Sequence, residues 1–201
     1  MNTSNNLKSI IGETDIYLLD QIMKGRYKQE HIILDAGCGD GRNMHWFLQN
    51  NFEIYAIDIN AALIDQLKAA NPTLAPGRLK AVAVEKTPFP DNHFDHIICS
   101  AVLHFANDTD HFNSMFGELV RILKHGGSIF IRMTSDIGIE KNIQLLADGV
   151  YIIPDGSNRF LLTKPLLAAI MQLHNLSFIE PLKTVNVDDV RCMSTLLLQK
   201  D

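Results

Sequence analysis

No stretch of five lysines and arginines occurs in this chain, whose formal charge is -5, so it lacks the cationic stripe with which proteins neutralise phosphates. Nucleic acid is therefore not the expected partner. Cysteine is scarce: Cys38, Cys99 and Cys192 are odd in number and have no close pair, which argues against a disulfide framework and predicts free thiols. No run of about 18 apolar residues is present, and Met1 to Lys8 lacks the basic-then-apolar build of a signal peptide. No membrane association is expected, and the cytoplasm is the expected location. Neither HExxH nor CxxC occurs, and His93 and His96 around Phe94-Asp95 make no ligand set, so no metal is expected. Repeats, low-complexity tracts and interdomain linkers are missing too. With 46% hydrophobic and 20% charged residues in 201, a single domain over residues 1–201 is expected.

What is present alternates. An amphipathic leading helix is predicted over residues 13–24, with Ile16, Leu19 and Met23 on one face and Gly25 at its end. Ile32, Ile33 and Leu34 form a buried strand that runs into Asp-Ala-Gly-Cys-Gly-Asp-Gly. Helix 42–49, strand 53–57, helix 61–70 and strand 79–84 follow, then a turn at Pro88 to Asn92, strand 96–100, helix 108–124 stopped by Gly126-Gly127, and strand 128–133. Such alternation demands an α/β fold, a doubly wound and mostly parallel sheet with right-handed crossovers. Residues 136–160 read as an irregular, lid-like insertion with one short helical piece. Helix 164–174 and strands 178–187 and 193–199 close the chain, the last two as an antiparallel hairpin across Asp188-Asp189.

In an open parallel sheet the ligand lies at the carboxyl ends of the strands, which is where Gly37, Gly39 and Gly41 fall. Their spacing breaks the dinucleotide fingerprint G-x-G-x-x-G, because Arg42 stands at its last position and glycine comes one residue early. Asp35 and Asp40 flank the loop and would repel a pyrophosphate, so a cationic ligand such as S-adenosylmethionine, with its ammonium and sulfonium, fits better. Glycines let the backbone approach that ligand closely. Asp58, at the end of the second strand, can accept from both ribose hydroxyls, and Ile59 can lie against the adenine face.

The segments ILDAGCGDG, YAIDIN, TPFPDNHFD, ICSAVLHF and LVRILKHGG, in this order, resemble the class I S-adenosylmethionine-dependent methyltransferases over about residues 30 to 135. The terminal TKPLLAAIMQLHNLSFIEPL and RCMSTLLLQK look like that fold's last helix and strand pair. The resemblance implies a Rossmann-like, seven-stranded sheet in the order 3-2-1-4-5-7-6. It also implies S-adenosyl-L-methionine as cofactor, with Asp35, Gly37, Cys38, Gly39 and Gly41 around its methionine part, Asp58 on the ribose, and Ser100 near the methionine side. Many relatives carry an aspartate where this chain has Ala83, so adenine recognition is expected from Val84 and Glu85 instead. Cys38 and Cys99 also read as small packing residues.

Methyl transfer from a sulfonium is an in-line displacement, for which alignment contributes roughly 7–11 kcal/mol. A general base is needed only for an oxygen or cationic nitrogen acceptor, and His104, just past the fourth strand, is the candidate. The acceptor pocket is expected from the leading helix, the loop after the fourth strand and the insertion, which carries Tyr151, Arg159 and Phe160. So short an insertion favours a small-molecule acceptor over protein or RNA. Two other readings stand beside this one: a nicotinamide-dependent oxidoreductase, and a non-catalytic module that binds S-adenosylmethionine. The oligomeric state is not readable from the sequence.

Overall fold

The structure, a computed structural model, describes residues 3–201, with side chains from Leu7 onward. In chain order its elements are α1 (Thr3–Ile11), α2 (Ile16–Met23), β1 (Ile32–Ala36), α3 (His45–Gln49), β2 (Glu53–Asp58), α4 (Ala61–Ala70), β3 (Leu79–Ala81) and β4 (Phe94–Ser100). A helical turn at Leu103–Phe105 leads to α5 (Thr109–Ile122), β5 (Leu123–Thr134), β6 (Gln144–Ala147), β7 (Val150–Ile152) and β8 (Asn158–Phe160). Then come α6 (Lys164–Leu173), β9 (Leu176–Phe178), β10 (Lys183–Val187) and β11 (Arg191–Lys200).

The main sheet runs β10-β11-β5-β4-β1-β2-β3, with β9 paired to the other part of β11. Strands β1 to β5 are parallel and β11 is antiparallel to β5, which is the expected Rossmann-like order with a reversed terminal hairpin. The expected sixth strand, 178–187, is divided into β9 and β10, making eight strands instead of seven. Pro181 lies in the gap, and a residue without an N–H cannot continue the ladder on β11. The strand order reverses between β1 and β4, so the cleft at their carboxyl ends is the natural ligand position.

Two apolar clusters fill the faces of the sheet. On one, Phe112 stacks on Phe160 at 4.7 Å, joining α5 to the strand that closes the insertion. On the other, Phe47 meets Tyr27 and Trp46 edge to face, at 4.9 and 5.3 Å, and ties α3 to the sheet. Fully buried side chains of this size each contribute about 1.5–3 kcal/mol.

Several predicted boundaries move, each for a local reason. The leading helix begins at Ile16, where the Asp15 carboxylate caps it by accepting the Tyr17 N–H, and α1 precedes it where only a polar start was expected. Helix 42–49 shortens to α3 because the chain turns first: the N–H of Met44 donates to Gly41 O, and Asn43 is occupied in accepting the Asp15 N–H. Helix α5 ends at Ile122 and not at the glycine pair. Gly127 already lies in β5, where a Cβ would stand 2.8 Å from the carbonyl oxygens of Asp95 and Lys124. Strand β3 stops at Ala81 instead of Val84, which frees residues 83–85 for the cleft. The insertion is a three-stranded antiparallel sheet, β6-β7-β8, and has no helical piece. Its two turns are Asp148-Gly149 and Pro154-Asp155-Gly156, whose glycines take φ +72° and +82°.

Candidate cofactor site

The loop after β1 folds back over the end of β2, where the N–H groups of Gly37 and Cys38 both donate to Ile57 O, at 2.8 and 3.0 Å. All three of its glycines have positive φ, yet they serve different neighbours. A Cβ on Gly37 would lie 2.3 Å from Val102 Cγ2, and one on Gly41 would lie 2.6 Å from Leu67 Cδ2. These two make room for the protein's own packing. A Cβ on Gly39, at φ +56°, would meet nothing within 4 Å, so the middle glycine faces open space.

Asp58 holds that glycine in place. Its Oδ2 accepts the Gly39 N–H at 2.9 Å and its Oδ1 accepts the Asn60 N–H at 2.8 Å. Each oxygen keeps a lone pair, so the carboxylate is oriented and can still accept from a ligand. The Asn60 side chain caps α4 by accepting the Ala62 and Leu63 N–H groups.

Beside this loop opens a cleft of about 460 Å³, within the range of small-molecule sites. It is lined by Gly37, Gly39, Asp58 and Ile59 from the first half of the sheet, and by Ala83, Val84 and Glu85 after β3. Ala101, Val102, Phe105, His111 and Met115 close it from the loop after β4 and from α5. Ala101 holds φ +62°, an uncommon conformation for alanine, where the β4 chain turns into the cleft wall. His111 Nε2 stands 3.7 Å from Glu85 Oε2 across the rim.

Asp35 lies under the loop, 1% exposed, and its Oδ2 is sealed from solvent with no hydrogen-bond partner among the described residues. Burial raises its carboxyl to about 7, opposed by Arg42 and reinforced by Asp58 and Asp40. A buried acid with an empty oxygen is costly to leave charged. A ligand cation near this loop would offset that cost. The residues thus fit a cationic nucleoside: an open glycine, an oriented ribose-type acceptor, apolar walls, and negative potential beneath.

Of the residues named from sequence, Gly37, Gly39, Asp58, Ile59, Val84 and Glu85 line the cleft. Asp35, Cys38, Gly41, Ser100 and His104 do not. Gly41 lies against Leu67 and Met44 in the protein interior, while Cys38 is part of the core, its thiol pushed up by burial. Ser100 is buried at the end of β4 with an unpartnered Oγ. His104 is 6% exposed on the helical turn within the segment after β4; desolvation, with help from Arg159 and Arg191, lowers its ring to about 4. All three cysteines are free and buried. Sequence reading missed Phe105, His111 and Met115. Their only signal was position: Phe105 follows the β4 turn, and His111 and Met115 are four apart on one face of α5.

The leading helix docks beside this site by a charged contact. Arg132 Nη1 on β5 donates to the buried Asp15 Oδ2 at 2.7 Å, and its guanidinium lies 5.1 Å over the Tyr17 ring. Tyr17 therefore covers Arg132.

Residues 34–131 match a family model described as a methyltransferase domain. A probable methyltransferase of Aspergillus luteorubrus, ltbC, is 32% identical over 128 residues, which is 59% of this chain and 43% of that protein. The tRNA N(3)-cytidine methyltransferase METTL2 of Xenopus tropicalis is 29% identical over 149 residues, 66% of this chain and 43% of its own length. The chain thus spans less than half the length of these two relatives. Among solved structures, it superposes on the Burkholderia thailandensis 1,6-didemethyltoxoflavin-N1-methyltransferase, crystallised with S-adenosylhomocysteine, with a TM-score of 0.68 at 17% identity. That match covers 98% of this chain and 86% of the other.

Proposed function

We propose that this chain, which belongs to the class I S-adenosylmethionine-dependent methyltransferases, transfers a methyl group to a small-molecule acceptor. One observation carries the cofactor half of this reading. Gly39 faces empty space while its N–H is clamped by Asp58, so the loop is built to let a ligand, and not a side chain, occupy that position.

Bound S-adenosylmethionine would supply an electrophilic methyl on a sulfonium that leaves as a neutral thioether. The chain's own residues then have orientation as their main task. Asp58 is positioned to accept from the ribose hydroxyls, and Val84 and Ile59 offer apolar surface to the adenine. Glu85, two residues on, presents a carboxylate that would take the place of the acid Ala83 lacks. Asp35, raised to about 7 by burial in the empty chain, would be held ionised by a cation bound near the loop.

The small-molecule half rests on three supports. The net charge is -5, against the phosphate-binding stripe a tRNA would need. The insertion is a small three-stranded sheet, and a structural neighbour bears the name of a small heterocyclic acceptor. The likeness to METTL2 favours tRNA as the second reading. Incubation with methyl-tritiated cofactor decides between them: the account expects label in acid-soluble small molecules from a metabolite extract. Label confined to the RNA fraction would sink the small-molecule reading, and binding without transfer to either would favour a non-catalytic module.

A further inference from the structure

His104 sits on the helical turn Leu103–Phe105, between the cleft loop and β5, with the Phe105 ring 4.5 Å away edge to face. The Thr134 backbone N–H, at 3.3 Å from Nδ1, can only donate, and the Thr134 hydroxyl lies 3.0 Å from the same nitrogen. Nδ1 must therefore accept. A neutral imidazole has one lone-pair nitrogen and one N–H, so the proton is on Nε2, which has no partner among the described residues. The ring can donate from Nε2 and cannot take a proton there. Protonation would put a second hydrogen on Nδ1, facing an amide N–H, in a buried site with Arg159 and Arg191 nearby. His104 is thus a neutral hydrogen-bond donor, ill suited to general-base work.

Two guanidiniums, those of Arg159 and Arg191, act on that ring. The Arg159 guanidinium, on β8, lies 5.0 Å over the Phe105 ring, and Phe105 is both 59% exposed and part of the cleft wall. Neither Arg159 nor Arg191 forms an ion pair within 4 Å among the described residues. The acid that senses both is Asp155, which is exposed and already accepts the Ser157 N–H and Oγ–H. In a chain with 23 acidic and 18 basic side chains, Arg159 thus sets a guanidinium without a carboxylate partner against the Phe105 wall of the cleft.

Resting on the methyltransferase reading, we propose that the acceptor is an oxyanion-bearing small molecule, a carboxylate or deprotonated hydroxyl, held by the His104 Nε2–H and the Arg159 guanidinium with Phe105 as its apolar wall. Arginine and a neutral N–H donor suit an oxyanion and repel an ammonium. An oxygen that arrives deprotonated attacks with its own lone pair, so no proton has to move and a ring that cannot accept one is no obstacle.

The test uses the full chain, ¹⁵N-labelled at histidine and saturated with S-adenosylhomocysteine, with benzoate as probe and benzamide as its neutral counterpart. The expected result is an Nε2–H tautomer for His104 from about pH 5 to 8 and a saturable shift with benzoate alone. Calorimetry should show benzoate affinity falling at least tenfold in Arg159→Met and His104→Phe. His104→Gln, which keeps an N–H near the Nε2 position, should retain it within about threefold. An Nδ1–H tautomer, an equal response to benzamide or no response to benzoate overturns the proposal. The titration is repeated on the free chain, so that a protein which ignores S-adenosylhomocysteine yet answers to benzoate overturns the cofactor reading alone.

Discussion

Replacing Gly39 by alanine separates the ligand's space from the protein's own. The new Cβ would have no protein atom within 4 Å, so the structural cost is only that of alanine at φ +56°, about 1–2 kcal/mol. For a domain of this size that lowers Tm by a few degrees. The same methyl enters the cleft where a ligand must approach the backbone, and overpacking of that kind costs roughly 1–3 kcal/mol, or about 5- to 150-fold in affinity. Gly37→Ala supplies the contrast. Its Cβ would lie 2.3 Å from Val102 Cγ2, so strain and overlap together should remove about 2–5 kcal/mol of stability. Thermal unfolding and calorimetry with S-adenosylhomocysteine measure both quantities on both variants. Folded Gly39→Ala protein that binds the cofactor product within twofold of the native chain would refute the reasoning.

Other perturbations test the surrounding elements. Asp35 has its folded carboxyl raised to about 7, so its contribution to stability is full below about pH 4 and is lost as pH rises to about 7. Asp35→Asn should therefore change Tm little at pH 4 and raise that of the free protein at pH 8, while weakening cofactor binding; a gain at pH 4 that vanishes at pH 8 would contradict the assignment. Asp58→Ala unclamps the Gly39 N–H and should lower S-adenosylhomocysteine affinity at least tenfold by calorimetry, since hydrogen bonds to a charged group contribute about 1.5–3 kcal/mol. Asp15→Ala leaves Arg132 without its partner and removes the α2 cap, for a loss of about 2 kcal/mol in urea unfolding. An unchanged urea midpoint would show that the leading helix is not held this way.

The sheet was legible because its signals are redundant: Ile32 to Leu34, Glu53 to Ile57 and His96 to Ser100 are apolar runs bounded by turns, and parallel strands buried on both faces need such runs. The glycine loop was legible in spacing, and Asp58 in its place after β2. What escaped was of two kinds. Asp148-Gly149 and Pro154-Asp155-Gly156 are plain turn signals, but the strands between them are three or four residues long and too short to show alternation. His111, Phe105 and Met115 reach the cleft only because α5 crosses beside the β4 loop, a tertiary fact without a local pattern. His104 was picked by place, and its role turned on Thr134, thirty residues away and invisible to spacing.

The most direct measurement is calorimetric titration of the native chain with S-adenosylhomocysteine and, in parallel, with NADH. The account predicts saturable one-to-one binding of the first, lost in Gly39→Val, and no heat from the second. Binding of NADH in place of S-adenosylhomocysteine would contradict the claim that an open glycine ringed by carboxylates selects a cationic nucleoside.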